Sequence, residues 1–103
     1  PIGEALARRD EARHLAEQAE FELLQALESA YRQYEIATTQ VAAFEQGILR
    51  EAEAALRVAE AAYRFGERGI LDYLDAQRVF RAARNDLISA RHQLRLARTE
   101  IDA

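Results

Sequence analysis

The stretch AYRFGERGILDYLDAQ, Ala62–Gln77, decides how this chain folds. On both sides of it run long segments rich in Ala, Glu, Arg, Leu and Gln, all good helix formers, and the single proline is Pro1. The stretch holds two of the four glycines, Gly66 and Gly69. Gly66 can take the left-handed conformation that ends a helix, and Gly69 can lead into the next. Asp72 then falls in the first turn of a second helix, where a negative charge favours the helix dipole. A connection of about four residues predicts that the two helices lie antiparallel. The expected architecture is all-α, an antiparallel coiled-coil hairpin. It has a long helix over about 4–65, a tip turn at 66–69 and a return helix over 70–102.

The return helix carries the clearer pattern. Tyr73, Ala76, Phe80, Ala83, Leu87, Ala90, Leu94, Ala97 and Ile101 follow spacings of three and four without a miss, a heptad seam. One seam position is always large and the other always Ala, so a partner backbone can approach closely between the large layers. Arg84, Arg91 and Arg98 flank the seam, where their alkyl stems can cover it while the charges stay in water.

In the long limb, Leu23, Ala30, Ala37, Phe44 and Val58 form one heptad row, broken only by Glu51. Leu27, Tyr34, Val41, Ile48, Ala55 and Ala62 form the other. Additional apolar positions fall off this seam: Ala52, Leu56 and Ala59, and the row Ala5, Ala12, Ala19 and Ala26. A second stripe implies neighbours on two sides, as in a helical wall or barrel. Gly47 interrupts the limb at a cost of about 1 kcal/mol relative to Ala. The heptad phase is expected to carry through it from Val41 to Ile48, leaving one helix. At ~1.5 Å per residue the limbs measure about 90 Å and about 50 Å. Roughly half of the long limb therefore lacks a partner within the chain, and its apolar stripe calls for a cover from elsewhere.

Composition agrees with this outline. At 103 residues the chain fits one domain, and although 50% of it is hydrophobic, 22 of those residues are Ala and eight are aromatic. That builds thin layers, not a thick core. The net charge of −4 and the interspersion of acids with arginines along the sequence argue against a nucleic-acid partner. The absence of cysteine excludes disulfides and thiolate metal sites. No apolar run approaches the ~20 residues that cross a bilayer, no signal peptide is visible, and the chain starts at Pro1 as a mature product or a piece of something larger would. His14 shares a helix face with Asp10 and Glu17, a spacing that also describes ordinary helical charge pairing, and His92 has no acid beside it. No phosphate-binding loop or nucleophile–base constellation occurs. No metal, cofactor or enzymatic activity is expected.

The corner residues Ala62-Tyr63-x-x-Gly66, then Ile70-Leu71-Asp72-x-Leu74-Asp75-Ala76-Gln77 and the Ala-spaced seam after them, resemble the C-terminal helical hairpin of TolC-type outer-membrane efflux channels. Leu74-Asp75-Ala76-Gln77-Arg78 is similar to the heavy-metal efflux (CzcC-like) branch. The resemblance implies a fragment of a homotrimeric channel, without its outer-membrane strands and first helical hairpin, that contacts the membrane only through those absent β-barrel segments. It further implies a place in the periplasmic part of the cell envelope, with a periplasmic adaptor protein and an inner-membrane pump as partners. It assigns Tyr63, Arg68, Asp72 and Asp75 to gating of the periplasmic entrance, and Phe65, Gly66 and Glu67 to adaptor docking.

Simpler readings stand beside these. Two acids in a first helical turn stabilise that terminus without gating anything, Arg68 can be merely solvated, and Phe65 can pack inward on Tyr73 or Leu74. The alternatives for the whole chain are the hairpin of the adaptor protein itself, also Ala-rich and turning at Gly, or a generic coiled-coil module. The isolated chain is expected to self-associate through its exposed stripe.

Overall fold

The computed structural model describes residues 1–102. They form a rod of 95 × 19 × 15 Å. Helix α1 (Ile2–Ala43), a π-helical turn (Phe44–Ile48) and helix α2 (Leu49–Arg64) follow one another without a break. Together they make the long limb. Helix α3 (Ile70–Asp102) returns antiparallel along it. The described residues contain no strand, and none of their helices is long and apolar enough to cross a membrane.

The corner closes as a Schellman motif. Gly66 has φ +76°, the only positive φ among the described residues. The Glu67 amide donates to the Ala62 carbonyl (2.8 Å) and the Gly66 amide to the Tyr63 carbonyl (3.1 Å), which is the paired bonding that satisfies the last carbonyls of a helix. The Arg68 amide shares the Ala62 carbonyl at 3.2 Å. An L-residue at Gly66 would meet no neighbour, so glycine is needed there for its backbone freedom and not for space.

The α3 seam forms as its spacing requires. Ala83, Leu87, Ala90 and Ala97 are buried, and Tyr73, Ala76, Phe80, Leu94 and Ile101 are half-buried. On the long limb, Tyr34, Ala37, Val41 and Phe44 take the opposing positions above the π turn.

Below the π turn the expectation of a continuous heptad phase fails. Ile48 and Val58 are exposed (47% and 67%), as are Glu51 and Ala55, while Ala52, Leu56 and Ala59 face α3; Ala62, the last member of the expected row, is buried as expected. The cause is local. The Leu49 amide donates to Phe44, five residues back instead of four, so the turn holds one residue more than an α-helical turn and passes the seam to the next position. The apparent break at Glu51 is thus a change of phase. Ala52, Leu56 and Ala59 are not a second stripe facing a second neighbour; they are the hairpin seam. Gly47 lies within this turn, and a Cβ added to it would meet nothing within 4 Å.

The length mismatch is as expected. Residues 1–29 are all exposed, and the first residue of the long limb with any cover is Ala30. Near there α3 ends, where Gln93, Leu96 and Glu100 share a shallow hollow with Ser29 and Gln33.

Candidate functional site

The tip is built by the end of α2, the Schellman turn and the first two turns of α3. Its aromatic pair is Tyr63 and Tyr73, stacked with ring centroids 5.7 Å apart and planes at 27°. Such stacking across the mouth of the hairpin is worth about 0.5–1.5 kcal/mol beyond area burial, and it ties the last turn of α2 to the first of α3. Tyr63, picked out by the sequence as a gating residue, therefore has a structural task at this position.

Arg68, Asp72 and Asp75 do come together. They line one shallow hollow beside the hairpin, floored by Ala55, Ala59 and Ala76 and edged by Val79. Asp72 and Asp75 sit three apart and so project from the same side of α3. Asp75 accepts a hydrogen bond from Arg78 at 2.6 Å, an exposed ion pair one turn along the helix. Among the described residues no hydrogen bond joins Arg68 to either carboxylate; its guanidinium shares their hollow without being tied to them. The local electrostatics combine two acids with one committed and one uncommitted arginine, open to solvent.

At the apex, Phe65 does not pack inward on Tyr73 or Leu74. It is 77% exposed, and so is Leu71. Ile70 and Leu74 are partly open beside them, giving an apolar cap on the turn. Leu71 was not singled out by the sequence reading. The available signal was its place between Ile70 and Asp72, off the seam row that begins at Tyr73, where an apolar residue has no intrachain use. Glu67 is exposed and holds its place through its backbone amide.

Sequence reasoning also missed Glu45. The π turn carries it to the edge of the seam, where Arg91 donates to it from Nε (3.2 Å) and Nη2 (2.8 Å). This is the one ion pair between the limbs among the described residues. No group of three or more metal-ligating side chains occurs among them, and His14 stands on the exposed overhang.

The comparisons with known proteins follow the same line as the geometry. The family model described as "outer membrane efflux protein" matches residues 2–103. No curated protein and no solved structure matches the chain. The family match covers both limbs and the tip between them, and it applies to the family as a whole without separating its heavy-metal branch. A long helix, a glycine-closed tip and a shorter return helix with an Ala-spaced seam, matched over this span, make the chain a member of the outer membrane efflux protein family.

Proposed function

We propose that this hairpin is part of the periplasmic tunnel of a trimeric efflux channel. Its tip stands at the periplasmic entrance and docks a periplasmic adaptor protein of a tripartite pump. The observation that carries the docking reading is the apolar cap. Phe65 and Leu71 are each 77% exposed on a turn held by the backbone hydrogen bonds of Gly66, Glu67 and Arg68 and by a tyrosine stack. A large apolar side chain on a rigid apex loses little conformational freedom when a partner covers it, so its burial converts efficiently into affinity.

The gating reading rests on the hollow of Arg68, Asp72 and Asp75. Around a threefold axis, two carboxylates from each protomer make an acidic constriction. Such a ring attracts cations and repels anions. Arg68, free of an intrachain tie, can reach a carboxylate of its own or of an adjacent hairpin, and breaking that tie lets the tip splay.

The test is made in the full-length channel with its adaptor. Phe65→Asp combined with Leu71→Asp should abolish site-specific crosslinking to the adaptor and efflux, with trimer assembly preserved. Undiminished crosslinking would remove the docking role. Asp72→Ala combined with Asp75→Ala should change single-channel conductance and cation block, and unaltered channel behaviour would remove the gating role.

A further inference from the structure

The seam of the long limb does not stop where its cover by α3 stops. Carried from Ala37, Tyr34 and Ala30 towards the N-terminus, the spacing of three and four continues through positions 27, 23, 20, 16, 13, 9, 6 and 2. Its two ends are large and apolar, with Ile2 and Leu6 at one and Leu23 and Leu27 at the other. The middle holds Arg9, Arg13, Ala16 and Glu20. Along one side runs the row Ala5, Ala12, Ala19 and Ala26, small enough to let a second helix lie close. Every one of these residues up to Leu27 is exposed in the single chain.

The order of residues on this strip complements itself when reversed. Its positions pair off about the midpoint between His14 and Leu15, and a helix laid antiparallel about that point meets it layer for layer. Ile2 then lies level with the partner's Leu27, and Leu6 with the partner's Leu23. Arg9 lies level with the partner's Glu20, and Arg13 with the partner's Ala16 beside the partner's Glu17. Asp10 and the partner's Glu17 are the like charges left level, and Arg13 stands next to both. The division of charge along the overhang suits the reversal. All its arginines lie within residues 8–13, and residues 14–29 carry acids and no arginine. A parallel second helix would instead set Arg9 against the partner's Arg9 and Glu20 against the partner's Glu20. A slip of one heptad sets Arg9 against the partner's Arg13 in one direction and against the partner's Leu27 in the other.

We propose that the overhang is a docking surface for the overhang of a second copy of this chain, laid antiparallel, with Arg9 and Glu20 paired across the seam at two symmetric places. The partner's Pro1 then lies level with Glu28, short of Ala30, where cover by α3 begins. The second overhang therefore continues the line of α3 without running into it. The contact is isologous: each copy spends the same face on the other, so association closes at two. Its antiparallel sense separates it from any side-by-side contact of parallel hairpins. It uses nothing at the tip and stands apart from the docking and gating readings.

Sedimentation of the 103-residue chain should show a monomer–dimer equilibrium. Orientation is read by disulfide trapping, for which the chain has no cysteine of its own. Leu6→Cys mixed with Leu23→Cys should give the mixed disulfide on mild oxidation. Neither variant alone should crosslink, because its two cysteines would stand about 25 Å apart along the rod, beyond the reach of a disulfide. Arg9→Glu alone and Glu20→Arg alone should each weaken dimerisation about tenfold, two ion pairs becoming two like-charge contacts. The two exchanges in one chain rebuild the pair in reverse and should restore the dimer, which a parallel pairing would not allow. All four positions lie outside the packed hairpin, so circular dichroism separates loss of the dimer from loss of the fold. A chain that stays monomeric, assembly beyond the dimer, self-crosslinking of either cysteine variant as efficient as the mixed reaction, or a double exchange as weak as the single ones would each overturn the proposal.

Discussion

Deleting Gly47 should leave the hairpin intact and make it more stable. The reasoning is arithmetic on the seam. Above the π turn the positions facing α3 are 30, 34, 37, 41 and 44; below it they are 49, 52, 56 and 59, with Ala62 buried beside the tip. Removing one residue between them renumbers the lower set to 48, 51, 55 and 58, which continues the upper heptads without a step. The π turn can then close as an ordinary α-helical turn. The change also removes a helix-interior glycine, worth about 1 kcal/mol. A rise in stability of about 1 kcal/mol is expected, measured by urea unfolding followed by circular dichroism. The control is deletion of Asn85, which has no compensating bulge. It puts the seam from Tyr73 to Ala83 out of phase with that from Leu87 to Ala97, exposing Leu87, now 4% accessible. Each large side chain lost from the seam costs about 1.5–3 kcal/mol, so the two-helix structure should fail. Equal loss of stability in the two deletions would refute the register argument. Both chains must be compared at one protein concentration, because self-association adds to apparent stability.

Two further outcomes follow from the packing. Gly66→Ala should lower stability by about 1 kcal/mol, the cost of a left-handed L-residue at φ +76°, with Gly66→Asn falling between the two in thermal midpoint. Leu87→Ala should cost about 2 kcal/mol or more, whereas Phe65→Ala, outside every packed layer, should stay within about 0.5 kcal/mol of wild type; a Phe65 effect as large as that of Leu87 in denaturant unfolding would show that the apex packs inward after all.

The membership of this chain in an efflux-channel family gives its physical economy a context. A wall made of hairpins needs helices that approach closely, and alanine at alternate seam layers allows that. It needs a rigid reversal, which Gly66 and the tyrosine stack provide.

How much of this could be read in advance depended on whether the determining interactions were local. The helical character, the reversal at Gly66, the antiparallel return and the α3 seam follow from propensity, a left-handed cap and a spacing unbroken from Tyr73 to Ile101 of a 33-residue helix. The excess of the long limb is a matter of counting. The tip residues were legible as a motif, yet their division of labour was not. Only the folded tip sets Tyr63 against Tyr73, collects Arg68, Asp72 and Asp75 in one hollow, and turns Phe65 and Leu71 outward. The phase of α2 was read wrongly for a definite reason. A heptad count assumes 3.5 residues per turn throughout, and one π turn at Phe44–Ile48 violates that assumption while leaving no mark in the sequence except Gly47 and an odd Glu51. Local sequence determined that there would be two arms and a corner; the contact between the arms decided which residues face each other and which stay exposed.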